Sequence, residues 1–316
     1  ALLFPLWAAP ASPGDRVVVN TTAVDLGLGT GGHDIVVWNL AHASHEAPSG
    51  GHVMKLRYTP GQSDVLAVEA PESPHHDVMA TSASLADVPV VAASLHSQLL
   101  PVVAVLHDRL PQARVVYVMT DGGALPAGLS RTLRTLRELG WLAGTVTTGH
   151  AVGGDLEAVT LHSGLLAARA VLRADVVVAG MGPGVVGTST PFGTTGLDLA
   201  AVVNATLALD GRPVVALRMS EGDPRDRHRG VSHHVRTALT RLVHRPEAVG
   251  VPVPSDAVAA ARAALPGFAV AERPDGGVLG LLAGLPAAHM GRSPDEDPLF
   301  FRCAGAAATH AADLVG

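Results

Sequence analysis

From residue 87 onward, near-continuous apolar, β-branched runs alternate with segments whose apolar positions recur every three or four residues. A short continuous run reads as a strand buried on both faces, and the longer period reads as a helix with one buried side. The runs fall at 88–95, 113–119, 141–148, 174–181, 212–219 and 248–253. Between them, Leu129, Leu133 and Leu136 share a helical face opposite Arg131, Arg134 and Arg137, with Gly140 as the stop. Val235, Ala238, Leu239, Leu242 and Val243 form a second stripe behind Ser232, a residue type suited to the N-cap. Ser255 opens a third segment, closed by Pro266 and Gly267. This alternation predicts a mostly parallel, doubly wound α/β sheet domain over 86–316.

Residues 1–85 follow another pattern, in which short β-prone runs at 16–20, 34–38 and 52–58 are separated by Gly, Pro and Asn. They predict a small N-terminal β subdomain. The segment from Gly27 to Gly32 lies between two such runs and reads as a wide hairpin or loop rather than a phosphate cradle. The opening run lacks a basic region and holds Pro5 and Pro10, which argues against a signal peptide. The first residue is not Met, so a processed or incomplete amino terminus is expected. No run reaches the roughly 18 apolar residues of a membrane span.

Composition narrows the chemistry. Aromatic residues make up only 3% of the chain, so the core must be built from Ala, Val and Leu with close backbone approach. A net charge of -6 without a basic run gives no footprint for nucleic acid or an anionic membrane. A small anionic ligand is the expected partner, and self-association is left open. Lys55 is the one lysine, so a P-loop is absent and any Schiff base, including that of PLP, would depend on it. Cys303 is the one cysteine, which excludes an internal disulfide, argues against iron–sulfur ligation, and fits a buried hydrophobe in a reducing cytoplasm.

In a parallel sheet, ligands bind in the crevice beyond the carboxyl ends of the strands, where helix amino termini and free N–H groups converge. The loops expected there are polar and glycine-rich. The segment from Gly182 to Gly196 contains Gly182, Gly184 and Gly187 in the spacing G-x-G-x-x-G. Thr188 to Thr195 intervene before a helix can start and no acidic residue sits about 20 positions on, which disfavours NAD. Gly182, Gly184, Gly187, Thr188, Ser189 and Thr190 are better read as an anion-binding loop, or as a structural loop needing positive φ at its glycines.

His233 and His234 fall in the first turn of the helix behind Ser232, where an imidazolium is disfavoured, so they suit a general base or a metal ligand. Arg229 just upstream is placed to clamp an anion. Asp121, at a strand end beside two glycines, is the leading carboxylate for base or metal chemistry, or an Asx-turn residue. Asp121, His96 and His233 are the candidate ligands for a divalent metal, which the sequence permits without fixing. Each histidine can equally be a cap or a satisfied half-buried residue. His75, His76 and Asp77 lack a ligand framework. No G-x-S-x-G elbow is present and Ser97 alone stands in a strand–nucleophile–helix setting, so covalent serine hydrolysis is not expected.

The strings from Asn20 to Gly32, Met119 to Pro126, Gly153 to Ala158, Met181 to Gly187 and His228 to His234 together resemble a bacterial, mainly actinobacterial family, domain of unknown function 3866. The resemblance spans essentially the whole chain. It implies no particular activity, ligand or catalytic residue, and it implies a further β segment upstream. The residues themselves point to an enzyme, a hydrolase or group transferase acting on a small anionic, perhaps phosphorylated, metabolite. A non-catalytic binding or regulatory protein using the same loop is the alternative.

Overall fold

The computed structural model describes residues 1–28, 32–47 and 50–315. Their contacts divide the chain into two compact units, Ala1–His76 and Asp77–Gly316.

In the first unit β1 (Val17–Asn20) and β2 (Ile35–Asn39) pair antiparallel with a bulge between Val18 and Val19, and a single helical turn, α1 (Thr22–Asp25), lies between them. β3 (Val53–Lys55) and β4 (Ser63–Val65) form a second antiparallel pair. The strand expected over 52–58 ends at Lys55, because Leu56 (φ 47) and Tyr58 (φ 60) enter the left-handed region and turn the chain. The middle of the glycine-rich segment, residues 29–31, lies outside the described residues. α2 (His76–Thr81) spans the boundary between the units in sequence.

The second unit carries an eight-stranded sheet built from β5 (Pro89–Ala93), β6 (Val115–Thr120), β7 (Gly144–Thr148), β8 (Leu156–Ala158), β9 (Val176–Met181), β10 (Arg212–Ala216), β13 (Gly250–Val253) and β14 (Ala269–Glu272). The short pair β11 (Met219–Ser220) and β12 (Gly230–Val231) stands apart from it. The sheet order is β14-β13-β10-β5-β9-β6-β7-β8, and every pairing is parallel. All six predicted runs become strands of this sheet. β8 and β14, edge strands of three and four residues, fall outside the predicted runs.

Right-handed crossovers fix where the helices go. The chain moves from β5 to β6 through α3 (Leu99–Arg109) and on to β7 through α4 (Arg131–Glu138). It then returns through α5 (Leu161–Ala170), α6 (Asp198–Ala208), α7 (His233–Leu242) and α8 (Val258–Ala264), travelling the other way along the sheet. The two sets therefore cover opposite faces. The short α9 (Val278–Leu281) and the closing helix α10 (Pro298–Asp313) join α3 on its face, and α6 packs between α5 and α7 on the other.

The core is aliphatic, as the composition requires, with Phe300 and Phe301 of α10 as its largest additions beside the buried Tyr117. Leu133 and Leu136 are buried on α4 as their spacing predicts, and Cys303 is fully enclosed. Among the described residues no helix is long and apolar enough to cross a membrane.

β5 and β9 are neighbours, yet the chain leaves β5 toward β6 and leaves β9 toward β10. Their loops part onto opposite faces, which opens a crevice at the carboxyl end between them.

Candidate functional site

The crevice is lined by the loop after β5, the glycine-rich loop after β9, and a segment ahead of α10. Leu95, His96, Ser97, Gly184, Val185 and His289 border it. His96 is held on both ring nitrogens. Its Nε2 lies 2.6 Å from Ser130 Oγ and its Nδ1 3.3 Å from the Met181 carbonyl, while Ser130 also caps α4 by accepting the Leu133 N–H. Burial pushes the His96 pKa down to about 4, against the Met181 hydrogen bond, so the ring is neutral near pH 7. Ser97 Oγ lies 3.3 Å from His289 Nδ1, and the His289 ring stacks on Phe300 with centroids 3.7 Å apart.

Beside the crevice, the chain leaves β10 and makes an excursion that β11 and β12 close as an antiparallel pair. Two fully buried carboxylates organise it. Asp223 accepts a bidentate pair from Arg225 (2.9 Å each) and a bond from Arg292 (3.2 Å), while Asp297 accepts from Ser220 Oγ (2.6 Å) and Arg292 Nε (3.1 Å). Burial alone would raise the Asp223 pKa, but the hydrogen bonds and charge of Arg225 hold it well below the usual range.

Arg218 is the third guanidinium of this group. It is 3% exposed and only 3.7 Å from Asp223, yet its Nε and Nη2 have no hydrogen-bond partner. Three buried or half-buried guanidinium groups against two carboxylates leave a net positive charge. Burial lowers the Arg218 pKa to about 10, which keeps it charged near neutrality. An unmatched buried cation is costly unless something anionic completes it.

The charge of Arg218 is felt by four imidazoles. His289 is one, and the other three form a cluster. His228, His233 and His234 bring one ring nitrogen each within 4.8 Å of the others, and His233 and His234 have ring centroids 3.9 Å apart. Burial first, and then neighbouring positive charge, pushes His228 and His289 down to about 3. Burial, then the His233 ring and Arg218, lowers His234 to about 4, and His233 moves in the same direction. Ser232 stands at the N-cap of α7 as expected, but its hydroxyl does not cap the helix. It meets His228 Nδ1 at 2.8 Å instead, which leaves Nε2 as the free nitrogen of that ring. The Nε2 atoms of His233 and His234 are buried without partners.

The glycine-rich loop lies directly on this cluster, since a Cβ at Gly187 would sit 2.8 Å from His234 Cε1. Much of the loop closes on itself. Thr188 donates both its N–H and its hydroxyl to the Gly193 carbonyl, Gly193 N–H donates to Thr190 Oγ1, and Val186 exchanges hydrogen bonds with Thr195. Ser189 turns it with φ 64, and α6 begins only at Asp198. Gly184 remains on the crevice wall, and Gly182 packs against the loop after β6.

Asp121 belongs to a different pocket. Its carboxylate accepts the His150 N–H at 2.9 Å and lines a cleft with Thr120, His162, Asp198 and His244, which none of the three clustered histidines borders. Asp198 is the more unusual acid there. Burial raises its pKa, against a very short hydrogen bond from the Thr120 hydroxyl, and the Asp121 charge raises it further. Arg229 is exposed, with Nε on the Asp223 carbonyl at 3.1 Å and a guanidinium nitrogen 3.8 Å from Asp226. His76 is bound to the Glu69 carbonyl at 2.9 Å.

The structure thus gathers His233, His234 and Gly187, and adds three residues the sequence did not single out. Arg218 was hidden inside an apolar run, where a lone arginine between Leu217 and Met219 is itself the signal. His228 was visible as a histidine four residues before Ser232, but only the β11–β12 closure turns it toward the others. Nothing local distinguishes His289.

The sequence profile described as "Protein of unknown function (DUF3866)" matches residues 1–308. No curated protein and no solved structure matches the chain.

Proposed function

The chain belongs to the DUF3866 family, whose description assigns no activity, and from that footing we propose that it is a cytoplasmic enzyme that hydrolyses or transfers a group on a small anionic metabolite. The observation that carries this reading is Arg218, a buried guanidinium with two nitrogens that lack a hydrogen-bond partner, amid neutral imidazoles at the carboxyl edge of the sheet. An anionic substrate oxygen satisfies those donors, and in a site this dry the interaction strengthens as negative charge develops during reaction. Neutral histidines beside it offer uncharged ring nitrogens as hydrogen-bond partners or metal ligands. Gly184 lies on the crevice wall, and the exposed Arg229 adds positive charge that draws anions to this side of the sheet.

The test is a screen of phosphorylated and carboxylated metabolites, with and without divalent metals, followed by Arg218→Met. Loss of a charged, desolvated contact costs about 2–4 kcal/mol, so kcat/KM should fall roughly 30- to 1,000-fold. The variant removes a buried, incompletely matched cation, so its Tm should equal or exceed that of the parent and the loss will not be unfolding. Full turnover in Arg218→Met sinks the reading, and a ligand that binds but survives unchanged makes the protein a binding module instead.

A second reading, hydrolysis through a serine ester, is favoured by the 3.3 Å approach of Ser97 Oγ to His289 Nδ1 at the strand–helix turn after β5. Covalent labelling of Ser97 by an activated phosphonate would select it over the first.

A further inference from the structure

Three imidazoles converge beside the crevice, each bringing one ring nitrogen within 4.8 Å of the other two. His228 and His234 are 1% and 6% exposed, and the Nε2 atoms of His233 and His234 are buried without a partner. Packed rings of this kind normally give each nitrogen a donor or acceptor, and a buried one left over calls for a reason. The cluster is also oriented from outside. Ser232 Oγ holds His228 Nδ1, the arrangement by which metal-binding histidines are commonly fixed in tautomer and direction. Gly187 clears the space over His234 that a side chain would fill.

We propose that His228, His233 and His234 form a binding site for one divalent transition metal of the zinc class. An all-imidazole donor set suits zinc, copper, nickel or cobalt and not the oxygen-seeking magnesium or calcium. At metal–nitrogen distances of about 2.0–2.1 Å, tetrahedral ligands stand about 3.3 Å apart. The three nitrogens, now within 4.8 Å of one another, reach that spacing by small ring rotations. Three protein ligands leave a fourth position, the pattern of catalytic rather than structural zinc. Arg218 fits such a centre as the neighbour of a metal-bound anion, because its own charge opposes a bare dication. The site is therefore one for metal and anion together, and each should tighten the other by the same factor.

The inference deepens the hydrolase reading but is tested without substrate. The full chain, stripped with a chelator, is titrated with Zn²⁺ alone and again in the presence of sulfate, followed by calorimetry. About one equivalent per chain is expected, with tighter binding in sulfate. His234→Ala should weaken binding at least ~100-fold, and Ser232→Ala, which only releases His228, about 10- to 100-fold. His107→Ala, on a ring stacked against Trp141 away from the cluster, should bind as the parent does. If His234→Ala fails to fold, Ser232→Ala carries the test. Less than about a tenth of an equivalent bound, or parental affinity in both cluster variants, overturns the proposal. Stoichiometric zinc with no turnover of any metabolite would instead leave the metal site standing and remove the enzymatic reading.

Discussion

His96 shows how a single buried ring is bound to acidity. Its two nitrogens are committed to Ser130 and to the Met181 carbonyl, and the folded chain holds its pKa near 4 against an ordinary 6.5. The unfolded chain takes up a proton at about pH 6.5 that the folded one refuses, so this contribution to stability is intact above pH 6.5. It is lost progressively as pH falls from there through about 4. By pH 4 the cost should reach about 2–3 kcal/mol. Thermal melts between pH 7.5 and 4.5 should fall less steeply in His96→Asn than in the parent, and parallel curves would show that the ring titrates freely. Asp198 works in the opposite sense, since a carboxyl whose folded pKa is raised destabilises the fold as pH rises and it ionises.

At the scale of elements, the loops after β6 and β9 meet backbone to backbone. Ala124 N–H donates to the Pro183 carbonyl at 2.6 Å, and a Cβ at Gly123 would run into the Gly182 carbonyl and stand 2.8 Å from that of Pro183. Neither obstacle is a side chain that can swing away. Gly123→Ala should therefore cost about 1–3 kcal/mol, visible as a Tm several degrees lower; an unchanged melt would mean the loops yield. The elements themselves were largely legible. The six principal strands announce themselves because strands buried on both faces are rich in apolar and β-branched residues over most of their length. β8 and β14 stay hidden because, as short edge strands, they are only part-buried and carry Glu157 and Glu272. The site was legible only in part, for a related reason. His233 and His234 are marked by the start of their helix, whereas Arg218, His228 and His289 come together through pairings distant in sequence. The insertion of β9 between β5 and β6, which creates the crevice, is likewise a non-local choice that no window of residues records.

For the molecule as a whole, a large aliphatic cluster on the α3–α10 face draws every member from residues 91–312, with partners extending to Val315. None comes from the Ala1–His76 unit. The fragment 77–316 should accordingly fold alone, with a cooperative thermal transition and the near-ultraviolet signature of a packed Tyr117 and Phe300; a broad, non-cooperative melt would contradict it.

Ser220 is fastened to Asp297, and through it the histidine-bearing excursion is fastened to a residue 77 positions later in the chain. Arg292, which also grips Asp223, arrives almost as late. During synthesis the three histidines leave the ribosome well before the residues that hold their framework in place. The segment from Arg292 to Asp297 thus completes the excursion, because a chain stopped before it keeps the three histidines but not the contacts that arrange them.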